Sequence, residues 1–152
     1  MLGELTEEEI VGLLERNMIA RLGCNDGNET YVVPISYTLD QGTLLCHSRE
    51  GMKINFMRRN PEVCVLIDEI RDFHVWSSVI VWGTYQELVE DDDVAYAQQY
   101  FSELMLSQKS QPSSLPPHSQ QERYHHTKPE YLPSIFYRIH IRKISGRFER
   151  PM

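Results

Sequence analysis

The chain has 152 residues, 41% hydrophobic and 24% charged, which is the composition of one ordinary globular domain and excludes a collagen, a coiled coil or a globally disordered chain. A net charge of −7 argues against non-specific binding to nucleic acid, which needs a basic surface to release counterions. The longest aliphatic run, 63–67, is far short of the ~20 apolar residues of a membrane helix, and the N-terminus shows neither the basic nor the apolar segment of a secretory signal, so a cytoplasmic protein is expected.

Thr6-Glu7-Glu8-Glu9 is a capping box, and Ile10, Val11, Leu14 and Met18 follow at helical spacing. A train of strands comes next. The first spans 19–24 and ends in the turn signal Asn25-Asp26-Gly27-Asn28. The second, 31–39, carries Pro34, which cannot donate to a ladder and so marks an edge, a bulge or a break in pairing. Asp40-Gln41-Gly42 turns the chain into a third strand, 43–48. Residues 51–59 read as a short helix stopped by Asn60-Pro61.

Strands follow at 62–68 and 78–89, the second bent or bulged at Gly83. Helix 91–105 buries Val94, Ala97, Phe101 and Leu104 and places acidic residues at its N-terminus, where the macrodipole favours them. Residues 107–133, rich in Ser, Gln, Pro and His, read as a long loop or lid. In the last strand Ile135, Tyr137, Ile139 and Ile141 alternate with polar or aromatic residues, and Ile144 breaks the phase, so a bulge is expected near Lys143. Six strands with peripheral helices, in a single domain over 1–152, suggest a mainly β fold: a closed antiparallel barrel, in which closure removes exposed edges.

Cys24, Cys46 and Cys64 are odd in number and scattered through apolar stretches, as buried free thiols would be. No metal site defined by the protein is expected, since His-x-x-x-His spacing is absent. Arg49, Lys53, Arg58 and Arg59 form a basic cluster, readable as a solvated face or as a site for an anionic small ligand. Cys46-His47-Ser48 runs into a helix start holding Gly51 and Lys53. Free amides at such a terminus, a lysine and a serine hydroxyl suit a phosphate monoester, although a solvent-facing capped helix has the same pattern. In Tyr31-Val32-Val33-Pro34-Ile35-Ser36, backbone groups beside the proline lack ladder partners and could meet the polar edge of a flat heterocycle, or mark no more than an edge strand. Ser77 and Ser78 bring two hydroxyls to a strand start. His47, beside the anion loop, is the one candidate for proton transfer, while His125, His126 and His140 are the candidates for axial ligation of a haem.

Taken in order, Val33-Pro34-Ile35-Ser36-Tyr37, the Gly42 hairpin, Cys46-His47-Ser48, Gly51-x-Lys53, Arg59-Asn60-Pro61 and Ser78-Val79-Ile80-Val81-x-Gly83 resemble the pyridoxamine 5'-phosphate oxidase-like FMN-binding split barrels, and within them the nitroimidazole-resistance (Nim-type) branch. The resemblance covers about 5–106 and resumes at 135–146, leaving 107–133 unexplained. It implies a six-stranded split barrel that dimerises, with FMN between protomers. By position, Lys53 and Ser48 would meet the phosphate with His47 beside them. Val33, Pro34, Ile35 and Ser36 would run along the isoalloxazine, and Ser78 and Val79 would approach from the neighbouring strand. Where pyridoxamine-phosphate oxidases carry an arginine this chain has Tyr31, and where they carry further basic residues it has Gly51 and Met52, which argues against pyridoxamine phosphate as substrate. The expected function is that of an FMN-dependent, nitroreductase-like oxidoreductase acting on a small flat acceptor. A non-catalytic flavin module, a haem-handling barrel and a deazaflavin protein are the alternatives.

Overall fold

In the computed structural model, residues 1–108 and 134–152 are described. The elements run β1 (Leu2–Glu4), α1 (Glu7–Arg16), β2 (Ile19–Asn25), β3 (Thr30–Asp40), β4 (Thr43–Arg49), α2 (Met52–Arg59), β5 (Glu62–Asp72), β6 (Val75–Glu87), α3 (Asp91–Gln108) and β7 (Ser134–Glu149). The expected loop or lid at 107–133 lies almost wholly outside the described residues; its first two positions belong to α3.

The sheet order is β1-β7-β4-β3-β2-β5-β6, and β6 also pairs with β7. That last pairing closes β7, β4, β3, β2, β5 and β6 into a ring, so the six-stranded antiparallel split barrel stands. The three-residue β1 is an addition the sequence did not signal. It is too short to show alternation, and it lies against the C-terminal end of β7 through Leu2, Gly3 and Glu4.

Local chemistry explains most boundaries. Thr6 accepts from the Glu9 amide at 3.2 Å while Glu9 accepts from the Thr6 amide at 3.0 Å, completing the capping box of α1. The buried stripe of α1 is Ile10, Leu13 and Leu14. The expected Val11 is 44% exposed, because Leu13 and not Val11 falls on the arc shared by Ile10 and Leu14. Gln41 and Gly42 both have positive φ, at 53° and 74°, as a two-residue turn matching the strand twist requires.

The hairpin of β5 and β6 runs further than expected, pairing out to Asp72 and Val75 with an irregularity between Ile70 and Asp72. Polar, non-alternating residues there hid the strand. Gly83 sits at the register shift between β6 and β7: Trp82 pairs with Lys143 and Gly83 with Ile141, leaving Arg142 as the extra residue. A Cβ on Gly83 would stand 2.5 Å from the His140 carbonyl oxygen, so glycine permits this close approach.

Leu22, Val65, Val81, Tyr137 and Ile139 fill the barrel and are fully buried, each apolar side chain worth ~1.5–3 kcal/mol. α1 packs across one end, where Tyr37 Oη donates to the Leu14 carbonyl at 2.8 Å. α2 plugs the other with Ile54, Phe56 and Met57, and Asn60 Nδ2 donates to the Asn25 carbonyl at 2.8 Å. α3 lies on the outside, where Ala97 and Phe101 pack on Leu45 of β4 and Phe136 of β7. Tyr96 Oη donates to Asp40 Oδ1 at 3.0 Å and Arg138 pairs with Asp40 Oδ2 at 3.1 Å, tying α3 to the β3–β4 hairpin. No described helix is long and apolar enough to cross a membrane.

Candidate functional site

The barrel is split between β3 and β4. Their ladder runs from Asp40 and Thr43 only as far as Ser36 and His47, whereas β4 continues on β7 through Ser48–Ile135 and Arg49–Ser134. Beyond Ser36, the N-terminal half of β3 keeps β2 on one side and has no described strand on the other.

Parity decides which groups face the opening. The Tyr37 amide donates to the Met18 carbonyl at 2.9 Å, so odd-numbered residues of β3 spend their backbone groups on β2 and even-numbered ones point theirs the opposite way. Pro34 falls on the even set, where its missing N–H costs no ladder bond. Its carbonyl, with the amide and carbonyl of Val32, lines the gap. Val33 and Ile35, expected at the gap, instead direct their side chains into the core and their backbone groups to β2. The even parity of Pro34 was the signal that could have selected Val32.

Lys53, in the first turn of α2, stands at this end of the barrel. It is half-buried, and burial holds its pKa below the ordinary 10.5. Its ionisable neighbours are the thiols of Cys24 and Cys46. Burial pushes the Cys46 thiol up to about 12 and raises that of Cys24 as well, so neither supplies a negative charge at neutral pH. No carboxylate pairs with Lys53 among the described residues. The result is a desolvated cation with unused hydrogen-bonding capacity, as an anion site requires.

Ser48 lies on the same face of β4 as Cys46, is fully buried, and donates its hydroxyl to the Arg49 carbonyl at 3.0 Å. Arg49 is half-buried on the opposite face, past the end of the β3 ladder, and its buried Nε has no hydrogen-bond partner among the described residues. Sequence reasoning left Arg49 within a general basic cluster because only the register puts it beside the opening.

His47 and Ser48 are separated by strand alternation. His47 points outward, with Ser36 opposite it on β3, and is only 5% exposed beneath α3. Its ring stacks on Phe136, with centroids 4.8 Å apart and planes at 15°, and lies 5.5 Å from Phe101. Nε2 is 2.7 Å from Ser134 Oγ. Burial first, and the Arg49 charge second, push its pKa down to about 4. His47 is therefore a neutral imidazole at pH 7.

Ser78 and Val79 are not brought to Lys53 within one chain. Val79 is a core residue paired on both sides, with Ile67 and Gly146. Ser78 lies on the outer face, six positions along β6 from Thr84, which pairs with Glu62 just after α2; that separation is ~20 Å. His140 is exposed, with Nε2 2.6 Å from Gln86 Oε1, and His125 and His126 lie outside the described residues. Cys24, Cys46 and Cys64 are all free thiols, and Cys64 is half-buried on the barrel's outside.

Comparison with known proteins agrees with this architecture. A family model described as pyridoxamine 5'-phosphate oxidase matches residues 6–148. An uncharacterized protein of Rhizobium meliloti is 40% identical over 84 residues, which is 55% of this chain and 56% of that protein, so the match spans little more than half of the relative's length. The crystal structure of an FAD-binding protein from Mesorhizobium loti superposes with a TM-score of 0.74 at 28% identity, covering 99% of this chain and 98% of that one. An FAD-binding protein from Mycobacterium smegmatis gives 0.64 at 22% identity, over 97% and 98% of the two chains. A structure from Bacteroides thetaiotaomicron named for 5-nitroimidazole antibiotic resistance gives 0.66 at 16% identity, over 97% and 87%. The last two, at these identities, show the shared fold.

Proposed function

Because the chain belongs to the pyridoxamine 5'-phosphate oxidase family, we propose that it binds a flavin, FMN, in the split between β3 and β4 and serves as a flavin-dependent oxidoreductase for a small, flat, electron-poor acceptor. One observation carries the reading: among the described residues, a strand edge without a ladder partner lies at the same end of the barrel as a half-buried lysine without a carboxylate partner. A flavin mononucleotide needs both features, an edge of backbone donors and acceptors for its pyrimidine ring and a desolvated cation for its phosphate. The FAD-binding name of the Mesorhizobium relative supports a flavin.

In this reading Lys53 holds the phosphate by charge-assisted hydrogen bonds. The buried Ser48 hydroxyl, on the barrel face of β4, is a second candidate contact. The Val32 amide and the Val32 and Pro34 carbonyls meet the polar ring edge and fix its orientation, and the backbones of Val33 and Ile35 keep that edge straight by pairing with β2. Ser36 and His47, both buried, form the last pair of the β3–β4 ladder and so close one end of the split. His47, neutral and hydrogen-bonded to Ser134, orients the site and leaves proton delivery to solvent. The bound flavin would supply hydride or single-electron transfer.

The reading includes a homodimer. The outer face of β2, β5 and β6 carries the half-buried Leu66, Ile80 and Trp82, near the exposed Val32, away from the helix that covers β4 and β7. Ser78 lies on the same face, so its expected contact with flavin would be made across that interface.

The test is an absorption spectrum of the purified protein, followed by acid precipitation and chromatography of the supernatant. Released FMN supports the reading and justifies assays with nitroaromatics and quinones. Released FAD keeps the flavin and changes the nucleotide. A colourless protein that also refuses added FMN overturns it, and a Soret band moves haem to the front.

A further inference from the structure

Arg58 belongs by sequence to the same basic cluster as Lys53, yet it is not available to an anion. Its guanidinium donates to Glu87 through Nε at 2.7 Å and Nη2 at 2.9 Å, and to Glu50 through Nη1 at 3.0 Å and Nη2 at 2.8 Å. Tyr85 Oη donates to Glu87 Oε1 at 2.8 Å. One planar fork therefore holds both oxygens of both carboxylates. Glu87 comes from the end of β6, and the Arg58 contacts hold its pKa below the usual 4.5. Glu50 comes from the turn between β4 and α2, three positions before Lys53.

That placement raises a question of competition. A lysine ammonium is a point charge on a flexible stem and donates to any carboxylate within reach. Glu50 is half-exposed and sits in the turn that leads to Lys53, yet Lys53 has no carboxylate partner among the described residues. We propose that Arg58 is a positioning residue that sequesters Glu50, so that Lys53 stays uncompensated for the anionic group of the flavin. The inference rests on the flavin reading above. Arginine suits the task because its planar guanidinium can engage two carboxylates at once, whereas a lysine in its place could not reproduce four directed contacts.

The test compares FMN with riboflavin, which has the ring and no phosphate, by fluorescence titration of the full chain. Arg58→Ala should weaken FMN about tenfold, the low end of losing one charge-assisted contact, and leave riboflavin unchanged. Adding Glu50→Gln to Arg58→Ala should restore most of the FMN affinity, because the competing charge is gone; a purely structural role for Arg58 would show no such rescue. Should Arg58→Ala fail to fold by circular dichroism, Arg58→Lys reads the same effect at smaller amplitude. Wild-type protein that binds neither flavin overturns the flavin reading itself. Wild-type protein that binds FMN, with affinity insensitive to Arg58, with FMN and riboflavin weakened alike, or with no rescue by Glu50→Gln, overturns the role of Arg58 alone.

Discussion

Acid should destabilise this protein through His47 in a way that can be isolated. The imidazole is stacked on Phe136 beneath α3, and its pKa falls from 6.5 to about 4. In the unfolded chain the same ring takes a proton near its ordinary value. Between the two pKa values the unfolded state therefore binds more protons than the folded state, and stability falls as pH falls. The contribution is complete above pH 6.5, is lost progressively toward pH 4, and changes no further below that, where both states are protonated. The interval corresponds to roughly 3 kcal/mol, an order-of-magnitude figure that needs little discount for solvent because the ring is so deeply buried. The assay is urea denaturation of wild type and His47→Asn at several pH values from 7.5 to about 4. Carboxylates such as Glu69 and Glu87, whose pKa values arginine partners hold low, contribute equally to both proteins and cancel in the difference. The variant has its own baseline stability, so the pH slope is the quantity compared. Parallel slopes would refute the reasoning, and would mean that His47 takes a proton in the folded state.

Lys53→Ala should weaken FMN by about 1–3 kcal/mol, the loss of one charge-assisted contact, in a fluorescence titration; unchanged affinity removes Lys53 from the site. Gly83→Ala should cost about 1–3 kcal/mol in urea denaturation, since the added methyl meets the His140 carbonyl at 2.5 Å and the Ile139 side chain at 2.7 Å; a neutral result would mean that the bulge yields. Thr6→Ala should cost about 1 kcal/mol by removing the cap of α1, with the change read from thermal unfolding. Light scattering should report twice the chain mass, and a monomer that still holds FMN tightly would refute the interfacial contact of Ser78.

Several of these features are legible from local chemistry. The capping box, the two-residue turn at Gln41-Gly42 and the stop at Asn60-Pro61 each involve a few neighbouring residues whose backbone preferences do not depend on the rest of the chain. Pro34 announced an interruption in pairing for the same reason. Alternation in 135–141 named the core face of β7, but it could not reveal that Phe136 on the other face is buried as well. That burial depends on α3, some thirty residues earlier in the chain, lying across the outside of the barrel.

The candidate site divides along the same line. Lys53, Ser48 and the β3 edge could be named from residue type and spacing, because an anion site draws on a small set of chemical groups. Which backbone groups of β3 face the opening could not, since one position of register exchanges the open set for the paired one. The state of His47 was equally hidden: spacing put it beside the anion loop, whereas burial between aromatic rings makes it neutral. The partners of Arg58 come from a turn and from the far end of β6, and composition alone would have counted all four cations of the cluster as free. Turns, caps, strands and the chemical groups on offer follow from neighbouring residues. Parity, burial and the pairing of charges follow only from the packed barrel, because they depend on which distant segments meet.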